Sequence, residues 1–239
     1  MLWYKGWLET RFRLLFVCIF HAVLLIALSF VKPSRSSPFA ALDAREQIKA
    51  IARFGFPVFV AAIASLNLAG AGINTQAAFQ ESKGLHGSTL LTLSLPVSRL
   101  RLLAVRAVLG WVETAGFILA LYIALWIASP SLRNFRPAEL AGYALTLVGC
   151  SLSIYAVPLL FATFLGDLGR ILGSAPALGV LWWVLNRQWV PPALNIFRAM
   201  GENSPLFAHT LPWPAILLSL SLSAAVFLAA LHIVRRREY

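Results

Sequence analysis

Residues Gln76–Arg106 read QAAFQESKGLHGSTLLTLSLPVSRLRLLAVR, and the rest of the chain is arranged about them. Two strongly apolar segments, Phe54–Asn74 and Leu102–Ser129, flank the stretch, each long enough to cross a bilayer. Neighbouring helices are usually joined by about 2–8 residues, so a connection several times longer implies structure and a task of its own. Its first half is polar and turn-forming, with Glu81, Ser82, Lys83, Gly84, His86 and Gly87. Its second half, Leu90–Val97, is apolar but too short to span, and it stops at Pro96 and the arginines Arg99 and Arg101. Proline lacks an N–H, suits the first turn of a helix and pushes the residue before it towards extended backbone. The expected result is a break near Leu95, a new helix running from Pro96 into the next span, and an elbow on the membrane surface.

Outward from the elbow, the composition is that of an integral membrane protein. Of 239 residues, 59% are hydrophobic and 12% charged, against about a quarter charged in soluble domains. The mean hydropathy is +0.78, and the apolar residues come in blocks. Six blocks reach the roughly 18–20 residues that cross the hydrocarbon core: Leu14–Val31, Phe54–Asn74, Leu102–Ser129, Ala138–Leu165, Ile171–Val190 and Trp213–Val234. The expected fold is all-α, a single polytopic domain over residues 1–239, with no room for a separate soluble domain. Trp3, Tyr4, Trp7 and Phe12 among charges predict an interfacial helix over residues 1–13. The apolar run after it is too long for a signal-peptide core, and no small-residue cleavage site follows, so it reads as an uncleaved first span.

The net charge of +11 is scattered over loops and helix ends with no extended basic face. Lipid headgroups explain that pattern better than nucleic acid does. With six spans, the side holding both termini and the elbow carries 11 of the 20 Lys and Arg and the other side 9. The positive-inside rule then places both termini in the cytoplasm. Cys18 and Cys150 both lie in apolar segments, which argues against a disulfide framework or a thiolate metal site.

Along the chain, residues 32–53 form a mixed-charge loop in which Ala40–Arg53 reads as a short surface helix. The second span carries Asn67 and Asn74, seven residues apart on one helical face, with Gly70 between them. Gly166–Arg170 reads as a tight turn, and Trp182, Trp183 and Trp189 as an aromatic belt at the end of the fifth span. Prolines interrupt residues 191–212, whose apolar pieces predict short extracytoplasmic or re-entrant helices. Arg235, Arg236 and Arg237 stop the last span at the headgroups.

Motifs for chemistry are lacking. No GxxxxGK[ST] phosphate loop, HExxH, GxSxG or CxxC occurs, so no catalytic residue, metal or cofactor is assigned to this chain. The four histidines share no ligand spacing. Glu113 is the one carboxylate well inside a span, and Arg106, Gly110 and Glu113 fall at i, i+4 and i+7 on one face. Asn67, Asn74, Arg106 and Glu113 therefore have two readings: the polar lining of a pathway, or helix–helix packing.

The elbow carries a resemblance. Glu81-Ser82-Lys83-Gly84, then Leu91-Thr92-Leu93-Ser94-Leu95-Pro96-Val97-Ser98-Arg99, then Arg106, resembles the cytoplasmic segment of type-2 ABC exporter permeases. Members of that family show a glutamate, a nearby glycine and a leucine-rich run ending in Pro-Val-Ser-Arg before the third span. Many have lysine where this chain has Arg106. The close match covers about twenty-five residues, and the six-span layout extends it along the chain. The resemblance implies a permease subunit of the bacterial cytoplasmic membrane, paired with a second permease subunit as a homo- or heterodimer. It also implies a separate ATP-binding cassette ATPase subunit that holds ATP and Mg. The coupling surface would then be Gln80, Glu81, Ser82, Lys83, Gly84, Leu85, His86 and Gly87, with Pro96 and Arg99 behind it. Two alternatives stand beside this one. A membrane-embedded lipid-modifying enzyme would need clustered His, Asp or Glu near one interface. A non-transporting scaffold or sensor would lack a neighbouring ATPase.

Overall fold

The computed structural model describes residues 2–30, 51, 55–70, 98–128 and 135–236. The elbow up to Val97 and all of the predicted surface helix but residue 51 lie outside them. Among the described residues the chain is helical and has no strand. The helices are α1 (Leu2–Phe30), α2 (Phe56–Leu68), α3 (Arg99–Ala128), α4 (Pro137–Ala162) and α5 (Asp167–Leu185). A 3₁₀ turn (Pro192–Leu194), the short helices α6 (Ile196–Met200) and α7 (Pro205–Ala208), and α8 (Trp213–Arg236) follow. Four of the helices are long and apolar enough to cross a membrane: Leu100–Ile127, Pro137–Ala162, Leu168–Leu185 and Trp213–Arg236. They correspond to the third to sixth predicted spans.

The first two predicted spans are not among these four. No break separates an interfacial helix from a first span, because α1 runs as one 29-residue helix. No proline falls within it and its second glycine-free stretch begins at Trp7, so nothing in the sequence interrupts the ladder. By contrast α2 has only 13 residues, about 20 Å at 1.5 Å per residue, less than the roughly 30 Å hydrocarbon core. It opens after Gly55, at φ 77°, and stops at Leu68, beyond which Gly70 takes φ 67°. Glycine just past a helix end adopts the left-handed conformation without a Cβ clash. Asn67 lies in the last turn of α2, and Asn74, its predicted partner on one face, lies outside the described residues.

α3 starts at Arg99, three residues after the predicted Pro96. Ser98 makes the start: its carbonyl accepts from Leu102 N–H at 3.1 Å and its Oγ from Arg101 N–H at 3.3 Å, as an N-cap serine should.

Contacts along the helices give their directions. Gly6 lies against Leu109, Thr10 against Glu113 and His21 against Phe117, so α1 and α3 run parallel. Tyr122 meets Tyr143 and Gly110 meets Tyr155, so α4 runs back along α3. Gly142 faces Leu211, Gly149 faces Ile216 and Ser153 faces Ser219, so α8 is parallel to α4. The starts of α1, α3 and α5 and the ends of α4 and α8 thus share one end of the bundle.

α4 and α8 are joined through the backbone. The Ser219 hydroxyl donates to the carbonyl of Gly149 at 2.8 Å and accepts from the N–H of Ser153 at 3.2 Å. Those two groups are four residues apart, the spacing of an α-helical hydrogen bond, so the hydroxyl bridges one rung of the α4 ladder. Gly149 permits the approach, since a Cβ there would lie 3.1 Å from Ile216.

At the opposite end the short helices fold inward. Ile196, Phe197, Met200 and Leu206 are buried in the main core, and Tyr143 donates to the Met200 carbonyl at 3.2 Å. Asn195, fully buried, closes two helix ends at once. Its Nδ2 donates to the Leu185 carbonyl at the end of α5, and its Oδ1 accepts from the N–H groups of Phe197 and Arg198 at the start of α6. This meets the requirement that buried irregular backbone find partners within the protein.

Candidate functional site

α2 stops inside the bundle, and its end is where buried polar side chains gather. Ala69 and Gly70 are both buried, and the Ala69 carbonyl accepts from the guanidinium of Arg170 on the first turn of α5. A cation at a helix C-terminus satisfies an orphan carbonyl and complements the helix dipole. Gly110 of α3 packs against the same point. A Cβ on Gly110 would lie 2.5 Å from the Tyr155 hydroxyl and 2.9 Å from the Leu68 carbonyl. Three helices meet here because residue 110 has no side chain.

One turn further along α3, Glu113 is buried, with Arg106 buried on the same helix. Glu113 Oε1 accepts from the Thr10 hydroxyl at 2.5 Å, and its other oxygen has no hydrogen-bond partner among the described residues. The Thr10 hydroxyl also lies within reach of the Gly6 and Trp7 carbonyls of its own helix, at 3.2 and 3.3 Å. The cluster therefore holds the Arg170 guanidinium, one carboxyl group, a threonine and a tyrosine drawn from α1, α3, α4 and α5 around the end of α2. Such groups are expensive in a membrane unless they face a bundle interior, and that is where they lie.

The sequence expectations distribute as follows. Arg106 and Glu113 fall inside the bundle, on one side of α3. Asn67 is half-buried, and its Nδ2 donates at 2.8 Å to Ile63 in its own helix, so it directs its donor away from the cluster. The backbone of Arg99 begins α3. Asn74, Pro96 and the tip residues Gln80, Glu81, Ser82, Lys83, Gly84, Leu85, His86 and Gly87 lie outside the described residues. Among the described residues no three His, Cys, Asp or Glu side chains gather in a way that could hold a metal.

No family model, curated protein or solved structure matches the chain.

Sequence reasoning missed Thr10, Tyr155 and Arg170. Thr10 was assigned to an interfacial helix, whereas it is 4% exposed and faces Glu113. Arg170 was counted as a loop charge among headgroups, whereas it is 2% exposed. The signal for Arg170 was its place four residues after Gly166, in register with Gly173 and Ser174, on the face of α5 that packs against Phe161 and Leu165.

The Thr10–Glu113 contact is testable. Thr10→Val and Glu113→Gln should each lower thermal stability, and the double variant should lose less than the sum, by about 1–2 kcal/mol. Simple additivity would show that the two groups do not share a bond.

Proposed function

We propose that this chain is the membrane-spanning permease subunit of an ATP-driven exporter, acting as a dimer and coupled to a separate ATPase subunit. In this reading α1 and the α2 region complete six crossings, and the substrate path runs between the permease subunits. ATP and Mg are held by the partner, and both termini and the elbow are cytoplasmic. The motif residues Glu81–Gly84 and Leu91–Arg99 are the sequence basis of the proposal. The observation that carries it furthest is where the elbow is attached. α3 starts at the end of the bundle that also holds the start of α1, the turn between α4 and α5, and the arginines ending α8. α2 is also directed towards that end when it stops at Leu68. Ser98, the first described residue after the elbow, therefore lies on the side of the described chain ends, which suits a contact to a cytoplasmic ATPase in this reading.

The test is co-expression with any ATP-binding cassette ATPase encoded in an adjacent reading frame, followed by purification through a tag on this chain alone. Co-purification and ATP-dependent transport in reconstituted vesicles are expected. Single cysteines placed at 84 and 203 in a background lacking Cys18 and Cys150 should label from the cytoplasmic and the opposite side respectively. Labelling of position 84 only from outside would sink the reading.

A further inference from the structure

At the end of the bundle away from the chain termini, α5 and the short α6 enclose a cleft of about 240 Å³. Its polar lining comes from Asn186, Arg187, Gln188, Asn195 and Arg198. We propose that it holds the phosphate group of an anionic glycerophospholipid, with the acyl chains lying along α5.

The charge of the cleft favours an anion. Arg187 stacks over the Trp183 ring, 3.8 Å from its centroid, and has no carboxylate partner among the described residues. Stacking occupies the face of a guanidinium and leaves its N–H edge in plane to donate, the geometry suited to bidentate phosphate binding. Arg198 is paired through Nε with Glu202 at 3.3 Å, which holds the side chain while its terminal nitrogens remain available as donors. Asn195, in contrast, uses both ends of its amide in closing α5 and α6, so it shapes the cleft and contributes no donor.

The size favours a headgroup. Pockets for whole small molecules run to about 300–1,000 Å³, and this one is smaller. A ligand seated here would keep the rest of its body outside. α5 offers a surface for that body: Leu172, Pro176, Gly179, Val180 and Trp183 are all exposed and recur at helical spacing on the face that ends at Arg187. Nothing lies within 4 Å of where a Gly179 Cβ would be, so the strip is open between Pro176 and Trp183. Trp182 and Trp189, both exposed, are close in sequence to the lining residues Asn186 and Gln188, and indoles favour the headgroup level. A phosphate above an apolar strip is the layout of a phospholipid, whereas a soluble phosphate ester would need only the cleft.

The experiment uses the purified full-length chain in detergent, titrated with short-chain phosphatidylglycerol, with diacylglycerol and with glycerol phosphate, and read by native mass spectrometry and Trp fluorescence. Phosphatidylglycerol is expected to bind about tenfold or more tighter than either of the others, as one charge-assisted contact plus the apolar strip would give. Arg187→Gln should lose about tenfold in phosphatidylglycerol affinity, with Arg187→Lys intermediate because it keeps the charge without the planar edge. Arg101→Gln, an exposed change at the opposite end, should bind as the unaltered chain does. Equal losses in the 187 and 101 variants would reduce the effect to bulk charge and overturn the site. Glycerol phosphate binding as tightly as the lipid would make the ligand a soluble anion and overturn the lipid assignment. If Arg187→Gln does not fold, Arg187→Lys alone decides, and undiminished affinity in it counts against the proposal.

Discussion

A single methyl group at residue 110 is expected to weaken the bundle by about 1–3 kcal/mol, while the same change six residues along the helix should do no harm. The Gly110→Ala methyl would fall 2.5 Å from the Tyr155 hydroxyl and 2.9 Å from the Leu68 carbonyl. The second neighbour is backbone at the end of α2, and it cannot turn aside as a side chain can. At Gly116 nothing lies within 4 Å, so Gly116→Ala should leave stability equal or raise it by up to about 1 kcal/mol through helix propensity. Thermal unfolding of the two variants in the same detergent makes the comparison. Equal stability of the two would mean that α2 does not end against α3 as described. Gly110→Leu should be worse than Gly110→Ala, and a Tyr155→Phe background should recover only the part of the loss that the hydroxyl causes.

The second large effect is expected at the elbow. Glu81→Arg reverses the charge at its polar tip, and Gly84→Val removes a residue whose backbone freedom a branched side chain forbids. Neither touches an apolar block, so insertion and stability should change by no more than about 0.5 kcal/mol. Contacts at the centre of an interface often carry over about 2 kcal/mol each. Loss of that much would weaken ATPase binding roughly thirtyfold and abolish coupled transport. Pro96→Ala should be milder, because it loosens the elbow without removing the contact. The measurements are ATPase co-purification and substrate-stimulated hydrolysis in reconstituted membranes. Full stimulation and transport by both tip variants would leave the elbow as a surface loop and remove the main support for the exporter reading.

The two predictions rest on different kinds of legibility. Long apolar blocks can be read from sequence because the bilayer imposes a length and excludes charge, and the helices α3, α4, α5 and α8 follow the predicted spans to within a few residues. Breaks are harder. Gly70 was read as a small residue in a helical stripe, but the same lack of a Cβ lets it end a helix, and only its surroundings decide between the two. Pairings across the bundle are hardest, because Thr10 and Glu113 are 103 residues apart and Arg170 and Ala69 are 101 apart. Nothing local in the sequence marks such partners. Glu113 was conspicuous as an isolated carboxylate, whereas Thr10, an ordinary residue beside Glu9 and Arg11, was not.

The rung that Ser219 completes in α4 has a mechanical consequence. Two packed helices normally slide or roll by exchanging side-chain contacts, each small and quickly replaced. Here an axial slip of α8 past α4 would break two hydrogen bonds of one buried hydroxyl at once, where no water replaces them. Ser219→Ala would remove both bonds and free the pair to move. With the hydroxyl in place, α4 and α8 travel as one body, and any change of shape in the bundle is left to α1, α3 and α5 moving around them.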